Sequence, residues 1–133
     1  MTQEQKELLL KDLCARLPYG VKVQRYSYED DVETIETLRE IDSDGYMSTL
    51  ECDTLKHIAK PYLFPMSSMT EEQQKEYRKV CELDTEILSK HPMDGSPFPA
   101  MYNSQDWLDV NHFDYRGLIP MGLAIDATGL NIY

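Results

Sequence analysis

The sequence predicts a single α+β domain in which a small antiparallel sheet of about three strands packs with an N-terminal helix, a long central helix and a short C-terminal helix. Three observations support this fold class: two capped amphipathic segments, an alternating strand pattern between them, and proline or glycine clusters that separate the segments. The 133 residues match one ordinary domain. Within 1–133 we expect a helix at 1–17, the small sheet at 21–51, a helix at 70–90, and a C-terminal helical segment and tail at 104–133.

The first predicted helix begins at Thr2, because Thr2 and Gln5 have the spacing of a capping box. The sequence Pro-Tyr-Gly at 18–20 ends this helix. Its apolar stripe consists of Leu9, Leu10, Leu13, Cys14 and Leu17.

The sheet begins with VKVQRYSY at 21–28, whose side chains alternate between two faces. VETIETLREI at 32–41 is ambiguous, because its apolar residues recur every three positions while its Thr and Ile content favours a strand. YMSTLE at 46–51 is a short strand candidate.

KPYLFPMSSMT at 60–70 is predicted to be an extended or single-turn connector, because Pro61 and Pro65 lack a backbone donor. Thr70 and Gln73 then form a second capping box, which begins the longest predicted helix. A loop rich in proline and glycine at 91–99 leads to a short helix capped by Ser104. The stripe of the long helix is Tyr77, Val80, Cys81, Asp84, Ile87 and Leu88.

The net charge of −11 and the pI near 4.6 make nonspecific nucleic-acid binding an unfavourable function, and they suit a basic protein partner or a DNA mimic. No apolar stretch is long enough to span a bilayer, and the first residues lack a secretory signal pattern. Cys14, Cys52 and Cys81 are odd in number and widely spaced, which is typical of reduced thiols in a cytosolic protein. We therefore expect a cytoplasmic protein without a cofactor.

EIDSDGYMSTLE at 40–51 nearly matches the twelve-residue calcium loop of an EF-hand. The potential metal ligands are Glu40, Asp42, Asp44 and Glu51. The first ligand is normally Asp, no second loop is present, and Ser-Asp-Gly before an apolar residue favours a hairpin turn. We predict a turn between two strands, with calcium binding as the alternative.

NHFDYRG at 111–117 brings a second set of chemically active residues together. His112 and Asp114 could orient a base or bind a metal, and Arg116 could hold a carboxylate or phosphate. The alternative, which we favour, is that the Asn-His pair ends the preceding helix. Asp114 and Arg116 then form local hydrogen bonds, and the neighbouring apolar residues enter the core.

KPYLFPMSSMTEEQ at 60–73 and DWLDVNHFDYRGLIPMGLAID at 106–126 resemble an uncharacterised small-protein family of gut Bacteroidales and their phages or mobile elements. The family pattern is KPYLRPMSSMTEEE followed by DWLNxxHFDYRGLIxxGLA. Phe64 replaces the arginine of that pattern and Asp109 replaces an asparagine. The resemblance implies two short strands before the first block, and it implies no activity.

No glycine-rich phosphate loop, nucleophile elbow or paired Cys and His residues indicate an enzyme. We expect a non-enzymatic cytosolic accessory or protein-interaction protein of a bacterium or its phage, with an unidentified protein partner and no contact with membrane or nucleic acid. The alternatives are a small-ligand or hydrolase-type site at His112, Asp114 and Arg116, an acidic DNA mimic, and a calcium binder at 40–51. The sequence does not specify an oligomeric state.

Overall fold

The computed structural model describes residues 2–27, 32–52, 55, 59–90 and 104–133, with residues 26, 27 and 83–90 described by their backbone alone. Within these residues the fold is α+β, as predicted. The helices are α1 (Gln3–Arg16), α2 (Glu71–Lys90) and α3 (Ser104–Val110). The strands are β1 (Lys22–Ser27), β2 (Val32–Ile41), β3 (Met47–Thr49), β4 (Lys60–Pro65), β5 (Phe113–Asp114) and β6 (Ile125–Asp126). The predicted loop at 91–99 lies outside the described residues.

The sheet is larger than predicted: the described residues form six strands in the order β3-β2-β1-β4-β5, with β6 also paired to β4. The three strands expected at 21–51 are present and antiparallel. The prediction of about three strands was wrong because the proline-containing connector is itself a strand, antiparallel to β1 and parallel to β5 and β6. Its prolines are the second and last residues of β4, where a missing donor disturbs the ladder least.

The C-terminal segment 104–133 is helical only over α3, and turns and two short strands follow this helix. Positive φ angles at His112, Gly117, Gly122 and Gly129 turn the chain repeatedly and prevent a continuous helix. The two strands in this segment contain two residues each, too few to produce a periodic sequence pattern.

Helix α1 has the predicted start and end. Thr2 and Gln5 form both hydrogen bonds of the capping box, and Gly20 follows a 3-10 turn with φ 69°. Leu9 and Leu13 are fully buried against the sheet, whereas Cys14, which the stripe placed with them, is exposed. Cys14 faces away from the core because the buried face of α1 contains Asp12 and Arg16 in addition to the two leucines.

The core has two clusters. The first packs α1 against the sheet through apolar residues that include Leu9, Leu13, Val23 and Leu63. In the second, the Trp107 ring stacks on Phe113 at 5.7 Å between centroids and lies 5.4 Å from Tyr77 of α2. The long helix therefore packs through its described side chains on α3 and the end of β4, and not across the sheet as predicted.

Among the described residues, no helix combines the length and the apolar character that crossing a membrane requires.

Candidate functional site

His112 ends α3 in the left-handed conformation, with φ 62°, as the alternative for NHFDYRG predicted. Its ring stacks on Tyr133 at 3.7 Å between centroids, and its Nδ1 atom is buried without a hydrogen-bond partner in the described structure. Burial lowers the pKa of His112 to about 4, and the positive charges of Arg16 and Lys22 act in the same direction. The ring is therefore neutral at physiological pH.

The Tyr133 ring is held in place by its hydroxyl group. The Lys22 N–H donates to Tyr133 Oη at 2.8 Å, and Tyr133 Oη donates to the Tyr62 carbonyl at 2.7 Å. The stack on His112 thus joins the end of α3 to β1 and β4.

Asp114 closes a turn inside the protein. Its two carboxylate oxygens accept hydrogen bonds from the N–H groups of Leu118 at 2.8 Å and Ile119 at 2.9 Å. These bonds direct Leu118, which is fully buried, into the first core cluster. The local role predicted for Asp114 is confirmed.

Arg116 contacts α1 across the molecule. Its Nη1 donates to Asp12 Oδ1 at 2.8 Å and to Tyr115 Oη at 2.7 Å. In the described residues no hydrogen bond or ion pair joins any two of the His112, Asp114 and Arg116 side chains. Ligand binding by these three residues stays a prediction.

A buried charge network, which sequence reasoning missed, surrounds Arg16. This side chain is fully buried; its Nε donates to Asp12 Oδ2 at 2.9 Å and its Nη2 to the Phe113 carbonyl at 2.6 Å. Asp109 Oδ1 lies 3.9 Å from Arg16 Nε and accepts a 2.8 Å hydrogen bond from Tyr115 Oη. We call the set Asp12, Arg16, Asp109, Tyr115 and Arg116 the buried charge network.

The network has no net charge, because two carboxylates balance two guanidinium groups. Burial raises the pKa of Asp109, although the Tyr115 hydroxyl and the two arginines oppose the shift. Arg16 Nη1 is a buried donor without a partner in the described structure. A signal was present in the sequence: Asp12 and Arg16 are four residues apart and lie beside Leu9 and Leu13 on the buried face of α1.

The network can hold the fold together, but its carboxylates and the Arg16 guanidinium are not open to a substrate. Asp12 and Arg16 are fully buried and Asp109 is 3% exposed. Each carboxylate already accepts from a neighbouring side chain. Chemistry on an external molecule would first have to break these contacts.

The segment 40–51 forms the predicted hairpin turn between β2 and β3. Asp42 Oδ1 accepts from the N–H groups of Asp44 at 2.9 Å and Tyr46 at 3.0 Å, and the Gly45 N–H donates to the Asp42 carbonyl. Gly45 has φ 85°, a conformation that favours glycine. The turn therefore uses one carboxylate oxygen of Asp42, which is one of the four predicted calcium ligands.

The four predicted calcium ligands Glu40, Asp42, Asp44 and Glu51 are all exposed. Across the described part of the chain, no group of three or more His, Cys, Asp or Glu side chains is placed to hold a metal ion. Calcium binding at this loop stays a prediction.

Glu36 is the one acidic side chain of β2 that points into the protein, and it is 5% exposed. Its carboxylate accepts hydrogen bonds from Thr34 at 2.6 Å, Thr49 at 2.5 Å and Arg25 at 3.0 Å. Burial acts to raise the pKa of Glu36, but these hydrogen bonds and the Arg25 charge outweigh it and hold the pKa below its ordinary value. Glu36 therefore serves the β1-β2-β3 packing and not an outer surface.

The exposed residues of this hairpin combine apolar and acidic side chains. Four of the eight large hydrophobic residues exposed in the described structure lie in β2 or beside β3; they are Val32, Ile35, Tyr46 and Leu50. Tyr46 and Leu50 are the most exposed, at 62% and 64%. Exposed carboxylates lie among them, at Glu33, Glu40, Asp42, Asp44 and Glu51. We call these nine residues the β2–β3 surface.

No protein-family model matches the chain, and neither a curated protein nor a solved structure is significantly similar to it.

Proposed function

We propose that the protein is a non-enzymatic accessory protein of a bacterium or its phage, and that it binds a basic protein partner through the β2–β3 surface. The observation that carries this proposal is the concentration of exposed apolar side chains along one hairpin. Scattered apolar residues are normal on a protein surface, but a group surrounded by charges is typical of an interaction site. The acidic groups in this surface match the net charge of −11 and favour a positively charged partner.

The polar residues that first indicated chemistry have structural partners instead. Asp114 closes a turn, Arg116 belongs to the buried charge network, and His112 stacks on Tyr133. By contrast, the apolar side chains of the β2–β3 surface are between 45% and 64% exposed. This contrast supports protein binding over a small-ligand or hydrolase-type site.

The proposal can be tested by affinity capture with two matched double variants. Tyr46→Ser/Leu50→Ser removes the two most exposed apolar side chains of the surface. Met121→Ser/Leu130→Ser removes two side chains of similar type elsewhere, which are 40% and 47% exposed. The bait is presented to a lysate of a gut Bacteroidales species, captured proteins are identified by mass spectrometry, and the main one is purified for titration calorimetry.

We expect the wild-type chain and the Met121/Leu130 control to bind the same basic protein with similar affinity. The Tyr46/Leu50 variant should bind it at least about tenfold more weakly, because truncation of large interface residues removes most of the binding energy. Equal binding by the two double variants would place the partner elsewhere on the molecule. Capture of no protein by the wild-type chain would also contradict the proposal.

A further inference from the structure

Among the described residues, no strand covers one edge of the β2 backbone next to the β2–β3 surface, and we call this the open edge. The Leu38 N–H donates to the Val21 carbonyl at 3.0 Å, so Leu38 forms a hydrogen-bonded pair with the start of β1. In an antiparallel pair such residues alternate, so Thr34 and Glu36 also direct their backbone groups toward β1. The N–H and C=O groups of Glu33 and Ile35 therefore point the opposite way.

The neighbouring strand on that side does not reach Glu33 and Ile35. In the described residues β3 pairs with β2 from Leu38 to Ile41, and the last contact is the Leu50 N–H on the Thr37 carbonyl. An unpaired row of backbone groups is a template for another strand. The segment VETIET at 32–37 contains no proline, which would remove a backbone donor from the edge.

The side chains around the open edge specify what could pair there. On the outer face of β2, Glu33 and Ile35 are both exposed. A strand added to this edge would place one residue beside Glu33 and another, two positions away on the same face, beside Ile35. This arrangement favours a strand with a lysine or arginine beside Glu33. The same strand would have a valine or isoleucine two positions away, beside Ile35.

A second copy of the chain fits the edge poorly. Two-fold pairing of β2 with itself would bring the acidic side chains of two β2–β3 surfaces together. Arg39 is the one exposed basic residue of β2 that could offset their charge. Each chain also has a net charge of −11. Repulsion between like charges therefore opposes this dimer, whereas the same field attracts a basic segment.

We infer that the partner supplies an extended basic segment, which adds to the edge of β2 through the backbone groups of Glu33 and Ile35 and presents both basic and β-branched residues to it. This inference rests on the proposed function and identifies the class of ligand for the same surface. Backbone hydrogen bonds provide the affinity, and the Glu33 and Ile35 side chains provide the choice of sequence.

The probe is an acetylated, amidated peptide of sequence KTVTKTVT, which places lysine and valine two positions apart on one face. We call it the basic peptide. The first control is ETVTETVT, which reverses the charge, and the second is the basic peptide with N-methylated valines, which removes backbone donors that face β2. Fluorescence anisotropy of labelled peptides measures affinity. We expect the basic peptide to bind at least about tenfold more tightly than either control.

Amide hydrogen exchange followed by NMR locates the bound peptide. At saturation with the basic peptide, exchange of the Glu33 and Ile35 amide protons should slow at least about tenfold. The Thr34 and Glu36 amides, which already pair with β1, should change little.

Two variants distinguish the contribution of the Glu33 backbone N–H to peptide binding from that of the Glu33 side chain. Glu33→Pro removes the outward N–H at a position where an edge strand tolerates proline, whereas Glu33→Thr removes the charge and keeps the donor. We expect Glu33→Pro to weaken binding of the basic peptide at least about tenfold, and Glu33→Thr to weaken it about threefold. The exchange experiment uses the wild-type chain, so it decides the question even if Glu33→Pro does not fold.

Unchanged exchange at Glu33 and Ile35 with bound peptide would overturn the inference, as would equal binding by Glu33→Pro and the wild-type chain. Slow exchange at these amides without peptide, together with a dimer in sedimentation, would assign the edge to a second copy. A partner that is lost with Tyr46→Ser/Leu50→Ser but retained with Glu33→Pro would leave the proposed function intact and remove strand addition. If the wild-type chain captures no protein but binds the basic peptide as expected, the proposed function is contradicted and strand addition at the β2 edge is retained.

Discussion

Two aspartates of this chain show how a short carboxylate satisfies backbone groups at a turn. Asp42 accepts from two N–H groups in the hairpin, and Asp114 accepts from two N–H groups, one of them that of the core residue Leu118. Asp has this role because its side chain reaches the backbone a few residues further along the chain. The acidic residues that most resemble ligands are thus used by their own loops.

His112 should make the stability of the fold depend on pH. Its pKa falls from 6.5 to about 4 on folding, so between these values the unfolded chain binds a proton that the folded chain does not. The contribution of the neutral ring is fully present above pH 6.5 and is lost as the pH falls toward 4. The slope reaches about 1.4 kcal/mol per pH unit.

Urea unfolding of the wild-type chain and His112→Asn measures this effect, because Asn does not titrate and tolerates positive φ. Between pH 6.5 and 4 the wild-type free energy of unfolding should fall toward that of the variant at this slope. Other titrating groups are common to both chains and cancel in the difference. Parallel pH profiles would show that His112 is protonated equally in both states.

At the scale of elements, the β2-β3 hairpin is specified by its turn. Gly45 adopts φ 85° where the chain reverses, and the Asp42 carboxylate orders the following N–H groups. The pairing is then irregular between Leu38 and Glu40, so β3 is short.

Replacement of Gly45 by Val should lower the free energy of unfolding by about 1–2 kcal/mol, because a β-branched residue is strained at positive φ. Gly45→Asn is the matched control and should cost less, since Asn tolerates this conformation. The nearest atom to an added Cβ is Leu10 Cδ1 at 3.8 Å, so the cost comes from the backbone and not from a clash. Urea unfolding of both variants measures the difference, and equal losses would refute this explanation.

At the scale of the whole molecule, the buried charge network joins the two ends of the described chain. Asp12 and Arg16 of α1 contact Arg116 and the Phe113 carbonyl, which are 104 and 97 residues away in sequence. The Tyr133 hydroxyl makes a comparable long-range contact with β1. These contacts hold the C-terminal turns against the sheet, where the two-residue strands alone provide few hydrogen bonds.

Asp12→Asn should lower the free energy of unfolding by about 3–5 kcal/mol, because it leaves two guanidinium groups without their shared carboxylate. The control is Glu7→Gln on the exposed face of the same helix, which should change the value by less than about 0.5 kcal/mol. Chemical denaturation followed by circular dichroism measures both. A loss below about 1 kcal/mol for Asp12→Asn would mean that the network contributes little net stability.

The sequence by itself determined the features that depend on neighbours along the chain. The capping boxes at Thr2 and Thr70, the end of α1 before the Pro-Tyr-Gly at 18–20 and the turn at Gly45 all formed as predicted. Each requires only side chains and backbone groups within about five residues, so a local pattern contains the necessary information.

Only the tertiary structure decided the features that depend on distant partners. The connector became β4 because β1, β5 and β6 pair with it, and Arg16 was buried because Asp12 and the Phe113 carbonyl neutralise and solvate it there. The open edge of β2 likewise depends on where β3 ends. A local pattern does not encode these outcomes, because burial of a charge or pairing of a strand is favourable only when its partner is present.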